Sequence, residues 1–194
     1  MAYEQLFNNL ARHIRLDTAE LDYFCSILKL RRIRKRQYLL QAGDVCRFET
    51  YVLKGCVRVF YVDAQGLEHI VMFGAEDWWV SDMESLRRQT PATMHIEALE
   101  DTEVLQISQH DMEDLLLRVP KFERYFRIML QNAFIAHQQR ILNNISLTAE
   151  NRYALFLEKY PHFAQRLPQK QIALYLGITP EFLSKVRKQL ASGK

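Results

Sequence analysis

Apolar residues along this chain follow one period, then another, then the first again. Near the start Leu6, Leu10 and Ile14, with His13, share one face of a helix predicted over 3–12. A second helix is predicted over 17–29, with Asp17 or Thr18 as its cap and Glu20 in its first turn. From Leu39 to Ser108 the period drops to two, and glycine turns punctuate it. Tyr38-Leu39-Leu40 leads to Ala42-Gly43-Asp44, and Thr50 to Leu53 leads to Lys54-Gly55. Val57, Val59 and Tyr61 then alternate with Arg58 and Phe60 before a turn at Ala64-Gln65-Gly66. Ile70, Val71 and Phe73 lead to Gly74, and strands follow at His95–Ala98 and Thr102–Ile107. Many short strands with regular turns predict an antiparallel sandwich or jelly roll. The basic run Arg31, Arg32, Arg34, Lys35 and Arg36, interleaved with Leu30, Ile33 and Tyr38, reads as a nucleic-acid patch or a solvated strand face. The alternation around Ile33 favours the strand.

Past Ser108 the helical period returns. Ser108 caps a short helix that buries Met112, Leu115, Leu116 and Val119, and Pro120 ends it. Lys121 to Ile145 is then a long helix free of Gly and Pro. It carries Phe122, Phe126, Met129, Leu130, Ala133, His137, Arg140 and Ile141 at spacings of three and four. That stripe serves either a helix packed on its own domain or a helix paired with a second copy. Ser146-Leu147-Thr148 breaks it, Thr148 caps a helix running to Tyr160, and Pro161 ends that helix. Phe163 to Pro168 reads as a short connection.

The last segment, QKQIALYLGITPEFLSKVRKQL from Gln169 to Leu190, reads as two helices around a tight turn. Gly177 leaves the first helix in a left-handed conformation, Thr179 caps the second, and Pro180 opens it. Ala173 is small where crossing helices approach. This is a helix-turn-helix signature, whose second helix can enter a DNA major groove; the bland alternative is a helical hairpin in a core.

Charge sharpens the choice. The chain is +3 overall, yet residues 148–194 hold eight Lys/Arg against three Asp/Glu, while the rest holds 18 against 20. A basic end that coincides with the motif fits phosphate contact. A composition of 48% hydrophobic and 25% charged residues is that of a soluble globular protein, with no apolar run able to cross a membrane. The N-terminus lacks a signal-peptide pattern, so a cytoplasmic location is expected. Cys25, Cys46 and Cys56 are widely spaced and odd in number, against a disulfide framework or a zinc ribbon. No nucleophile–base set, metal cluster or phosphate-binding glycine loop points to an enzyme.

Three ordered segments carry a family resemblance. Gly43-Asp44, Tyr51 to Val59 and Gly66-Leu67-Glu68, followed by the long helix and the helix-turn-helix, resemble the Crp/Fnr transcription regulators over nearly the whole chain. The resemblance implies an α+β fold: an N-terminal jelly-roll barrel with flanking helices, a long dimerisation helix, and a C-terminal winged-helix-like domain. It divides the chain into an effector domain (1–120), a dimerisation helix and hinge (121–147) and a DNA-binding domain (148–194). It makes Phe126, Leu130, Ala133, His137 and Ile141 the seam of a homodimer. By the resemblance a small β-hairpin belongs at Phe163 to Pro168, and the segment leaves room for only a minimal one. The strands that commonly follow the recognition helix have no counterpart in this sequence. The iron–sulphur branch of the family needs clustered N-terminal cysteines, which Cys25 alone does not supply.

The family's phosphate cassette has a Gly-Glu pair and an Arg-Ser or Arg-Thr pair. Here Val80-Ser81 stands for the first, and Ala92-Thr93 for the second. Both charged anchors are missing, so cAMP is not expected to bind in the usual way. Met72, Phe73, Trp78, Trp79, Val80, Ser81, Ala92, Thr93 and Met94 form the expected pocket. It holds either another small molecule or its own side chains. In the recognition helix the family's reading positions fall on Pro180, Glu181 and Lys185. Glu181 suits cytosine, Lys185 suits guanine or phosphate, and Pro180 has no donor, so the operator should differ from the family's consensus. Phe182 is placed for a thymine methyl or for packing. Thr179, Ser184, Arg187 and Lys188, with Gln169 and Lys170, complete the expected contact set. The implied partners are a pseudo-palindromic double-stranded operator, a second copy of the chain, and RNA polymerase. The competing reading is a ligand-sensing or protein-interaction module that no longer binds DNA specifically.

Overall fold

The computed structural model describes residues 3–191, the side chains of Leu190 and Ala191 excepted. Two compact units emerge. The first takes the chain up to Tyr61 and again from Met72 to Gln131; the second takes Val62–Val71 and the chain from Asn132 onward.

The first unit opens with α1 (Glu4–Ala11) and α2 (Thr18–Ile27). Asp17 caps α2: its carboxylate accepts from the Glu20 N–H at 2.9 Å, and the Glu20 carboxylate accepts from the Asp17 N–H at 2.8 Å. This reciprocal box satisfies two donors that a helix start otherwise leaves unpaired. Eight strands follow: β1 (Lys29–Ile33), β2 (Tyr38–Leu40), β3 (Phe48–Lys54), β4 (Val57–Val62), β5 (Glu68–Gly74), β6 (Trp79–Val80), β7 (His95–Ala98) and β8 (Thr102–Ser108). They form two four-stranded sheets in the orders β1-β8-β3-β6 and β2-β7-β4-β5. The expected jelly roll is therefore present. Gly55, at φ +100°, turns β3 into β4, and a Cβ there would stand 2.8 Å from Thr102 Cα. Only glycine fits.

Alternation along β3 and β8 divides the core in two. Tyr51, Leu53, Leu105 and Ile107 face helices and pack with Leu6, Leu10, Phe24, Leu115, Phe122 and Tyr125. Val52 and Val104 face the barrel interior with Val57, Val59, Val80, Ile96 and Ala98. Each large side chain so enclosed contributes about 1.5–3 kcal/mol. The helices of the first core are α1, α2, α4 (Gln109–Arg118) and the start of α5 (Lys121–Ser146).

Three local expectations need correction. The basic run does not continue as a strand to Tyr38: β1 ends at Ile33, the one buried position of that strand, and the chain turns at Arg36 with φ +69°. A helix absent from the sequence pattern, α3 (Met83–Arg88), occupies the cassette segment. The connection after Pro161 is no hairpin but α7 (Pro161–Arg166), which buries Phe163.

In the second unit α5 runs on through Ser146. Thr148 then caps α6 (Ala149–Lys159), and after α7 come α8 (Gln169–Leu176) and α9 (Pro180–Ala191). No wing strand occurs among the described residues beyond α5.

Candidate nucleic-acid interface and effector pocket

The turn between α8 and α9 has the geometry that its residues dictate. Gly177 lies at φ +67°, ψ +36°, and the hydroxyl of Thr179 accepts from the Phe182 N–H at 3.2 Å. Ile172 and Ala173 are fully buried, and Leu183 and Val186 face them at 0% and 1% exposure. The other side of α9 is exposed, and it carries Glu181, Phe182, Ser184, Lys185, Arg187 and Lys188; Thr179 and Lys170 are exposed beside it. Gln169 departs from this set. It is half-buried, and its Oε1 is enclosed by protein. The charged face of α9 can meet phosphates and base edges, whereas Gln169 is poorly presented for that.

Arg140 lies on the α5 stripe in sequence, and the structure gives it a different task. Its guanidinium donates to the carbonyls of Ile70 (2.7 Å), Val71 and Tyr175 (2.9 Å), and lies 4.2 Å over the Tyr175 ring. One side chain thus ties β5 and α8 to the long helix. Guanidinium supplies several donors in a fixed plane, which suits three carbonyls at once. Burial pushes the Tyr175 phenol up, while the Arg140 charge works the other way.

On α5 the expected seam residues are arranged unevenly. Phe126 is half-buried and packs on the helix-facing core, whereas Leu130, Ala133, His137 and Ile141 are exposed. Phe134, Ile135, Leu142 and Ile145 are exposed too, Ile145 at 79%. The apolar face is broader than the sequence stripe. Large exposed apolar surface of this kind marks an interaction face.

The expected effector pocket is not one site. Met72, Val80, Ala92 and Met94 pack into the barrel interior. Trp79 belongs to the other face of its sheet, with the helix-facing core. Ser81 donates to Glu49 at 2.9 Å, and burial pushes that carboxyl up to about 7. Phe73 is buried, Trp78 half-buried, and Thr93 exposed. Sequence reasoning missed Asp82, which is 1% exposed. Its carboxylate accepts from three backbone N–H groups: Ser85 (3.1 Å), Thr93 (3.1 Å) and Met94 (3.2 Å). The signal that could have found it is the sequence Asp82-Met83-Glu84-Ser85, a capping residue at a helix start.

A barrel of this topology, one long helix and a helix-turn-helix on a single chain are the architecture of a transcription regulator. Residues 30–119 match the cyclic nucleotide-binding domain family. The chain is 28% identical over 183 residues to the fumarate and nitrate reduction regulatory protein of Vibrio cholerae, covering 88% of this chain and 72% of that one. Its fold matches FixK2 from Bradyrhizobium japonicum at a TM-score of 0.76, with 20% identity and 86% of each chain covered. It also matches a transcriptional regulator of the Crp/Fnr family from Eubacterium rectale at a TM-score of 0.73, with 18% identity, covering 100% of this chain and 89% of that one. Over nearly its whole length the chain is similar to transcription regulators of the Crp/Fnr type. No helix of the described residues is long and apolar enough to cross a membrane.

Proposed function

We propose that this regulator acts in the cytoplasm as a homodimer, with an effector domain over 1–120, a dimerisation helix and hinge over 121–147, and a DNA-binding domain over 148–194. The observation that carries the DNA reading is the division of α9: Leu183 and Val186 inward, Glu181, Lys185 and Lys188 outward. In a two-fold dimer two such helices sit about 34 Å apart and read a pseudo-palindrome. Glu181 accepts from cytosine N4, and Lys185 donates to guanine or to phosphate. The exposed face Leu130, Phe134, Ile135, Ile141 and Ile145 supports pairing through α5. Gel shifts on genomic fragments over a range of salt test the reading. Binding that weakens with salt is expected, and Lys185→Ala should lose about 1–3 kcal/mol and relax one base position. Absence of salt-dependent binding to any fragment overturns it.

The barrel is not built for a cyclic nucleotide held in the usual way. Ser81 and Ala92 stand where the charged anchors belong; Ser81 is engaged with Glu49, and Ala92 is packed among apolar side chains. The backbone donors of Thr93 and Met94 already serve Asp82. An incoming phosphate seeking those two N–H groups would have to compete with a buried carboxylate. Calorimetry of the whole chain with cAMP and cGMP should show no micromolar binding; micromolar binding sinks this part.

A further inference from the structure

A cavity of about 480 Å³ lies in the second unit, between α5, α6 and α8. Its walls carry Arg140, Arg152 and Lys159 against a single carboxylate, Glu158, and the amides of Asn143 and Asn144. Arg140 is engaged by the three carbonyls described above. Arg152 is not so engaged. Its Nη1 donates to the Asn144 carbonyl at 3.3 Å, while its Nε is buried with no hydrogen-bond partner. A buried guanidinium N–H left unpaired is costly, and an anionic oxygen is the partner that removes the cost. The rest of the wall is apolar and aromatic: Phe156 lies 5.5 Å from the Tyr175 ring and 5.6 Å from the Tyr160 ring.

We propose that this cavity binds a small organic anion, with its carboxylate or phosphate on Arg152 and Lys159 and its apolar body on Phe156 and Tyr175. The two ends of the site set that class. A bare inorganic ion leaves the aromatic wall unused, and a neutral apolar molecule leaves Arg152 Nε unpaired. None of the residues lining the cavity belongs to the expected effector set of the barrel. It touches α8 through Tyr175, whose carbonyl Arg140 holds, so occupancy bears on the first helix of the DNA-reading motif. That consequence rests on the regulator reading; the site itself does not.

The test is binding to the whole chain without DNA, by calorimetry and by thermal melting. The probes are benzoate, phenyl phosphate and inorganic phosphate. Saturable binding of benzoate or phenyl phosphate, tighter than inorganic phosphate, is expected, and the stronger of the two identifies the head group. Arg152→Gln should weaken that binding about ten- to hundredfold. Lys159→Gln, at an exposed position, should weaken it less and guards against an Arg152 variant that fails to fold. Equal binding of all three probes, binding unchanged in both variants, or no binding of any probe overturns the proposal. Gel shifts with and without the bound probe then test the consequence: a probe-dependent change in DNA affinity is expected, unchanged affinity overturns the consequence, and absence of DNA binding in both conditions would count against the regulator reading while leaving the site intact.

Discussion

The indole Nε1 of Trp79 donates to the phenol oxygen of Tyr125 across 2.9 Å, and that phenol donates onward to Asn9 Oδ1 at 2.8 Å. Trp79 opens the cassette strand β6, and Tyr125 sits in the first turns of α5. Rings reinforce the link: Trp79 meets Phe126 edge-on at 5.3 Å and Tyr51 at 5.1 Å. Burial pushes the Tyr125 phenol up to about 12, so its proton stays in place to donate. Tyr125→Phe leaves the Trp79 N–H and the Asn9 carbonyl oxygen without this partner. A loss of about 1–3 kcal/mol is expected, read as a melting point lower by roughly 2–4 °C per kcal/mol. Unchanged denaturant and thermal midpoints would show that the link contributes nothing to stability.

Asp82 anchors the segment that replaces the phosphate cassette. Removing it strands the N–H groups of Ser85, Thr93 and Met94. Hydrogen bonds to a charged acceptor are worth about 1.5–3 kcal/mol. Asp82→Ala should therefore destabilise the first unit by about 2–4 kcal/mol, and Asp82→Asn, which keeps one acceptor oxygen, by less. Urea unfolding of the two variants checks the order. Equal stabilities of wild type and the alanine variant would refute the anchoring role.

What the sequence made legible, and what it hid, divides by physical cause. Strands β3, β4, β5, β7 and β8 and helices α8 and α9 were visible because burial on one face imposes a period, and because Gly55, Gly177, Ser108, Thr148 and Thr179 sit where turns and caps need them. Helix α3 was hidden because its buried residues include the polar Ser85, held by Cys46 N–H at 2.8 Å and by the Thr90 carbonyl at 2.6 Å, so it shows no apolar stripe. Helix α7 was hidden because a proline that ends one helix can equally open the next, and Pro161 does both. The pocket set failed by face: Trp79 and Val80 are neighbours on one strand, so they point to opposite cores. Arg140 and Asp82 were hidden because their partners are backbone groups, which carry no sequence identity and mostly lie far away in the chain.

Arg140 holds α8 through the Tyr175 carbonyl and β5 through Ile70 and Val71. Arg140→Met keeps the side-chain bulk and removes every donor. The expected result is a roughly tenfold loss of operator affinity, equal to about 1.4 kcal/mol, with the helix content by circular dichroism retained. Arg140→Lys should restore little, because an ammonium lacks the planar fork of donors that serves the three carbonyls. Wild-type affinity in the methionine variant would remove Arg140 from the positioning of α8.

Glu49 gives the protein a pH dependence with a definite sign. Burial pushes its carboxyl up to about 7 from an ordinary 4.5, and the hydrogen bond from Ser81 Oγ opposes the rise without cancelling it. Between those two values the folded chain holds a proton that the unfolded chain has released. Stability is then fully present below about pH 4.5, falls as pH rises toward 7, and is level above that, as far as this group decides it. Each tenfold change in an acid's ionisation constant on folding corresponds to about 1.4 kcal/mol, and partial solvent access reduces it, so a drop of about 1–2 kcal/mol from near pH 5 to near pH 8 is expected. Glu49→Gln mimics the protonated acid at every pH. Its stability should match wild type near pH 5 and exceed it near pH 8, with the Ser81 contact kept through the amide oxygen. Denaturant unfolding of both proteins across that range decides the matter, and parallel curves for the two would show that Glu49 does not titrate in this window.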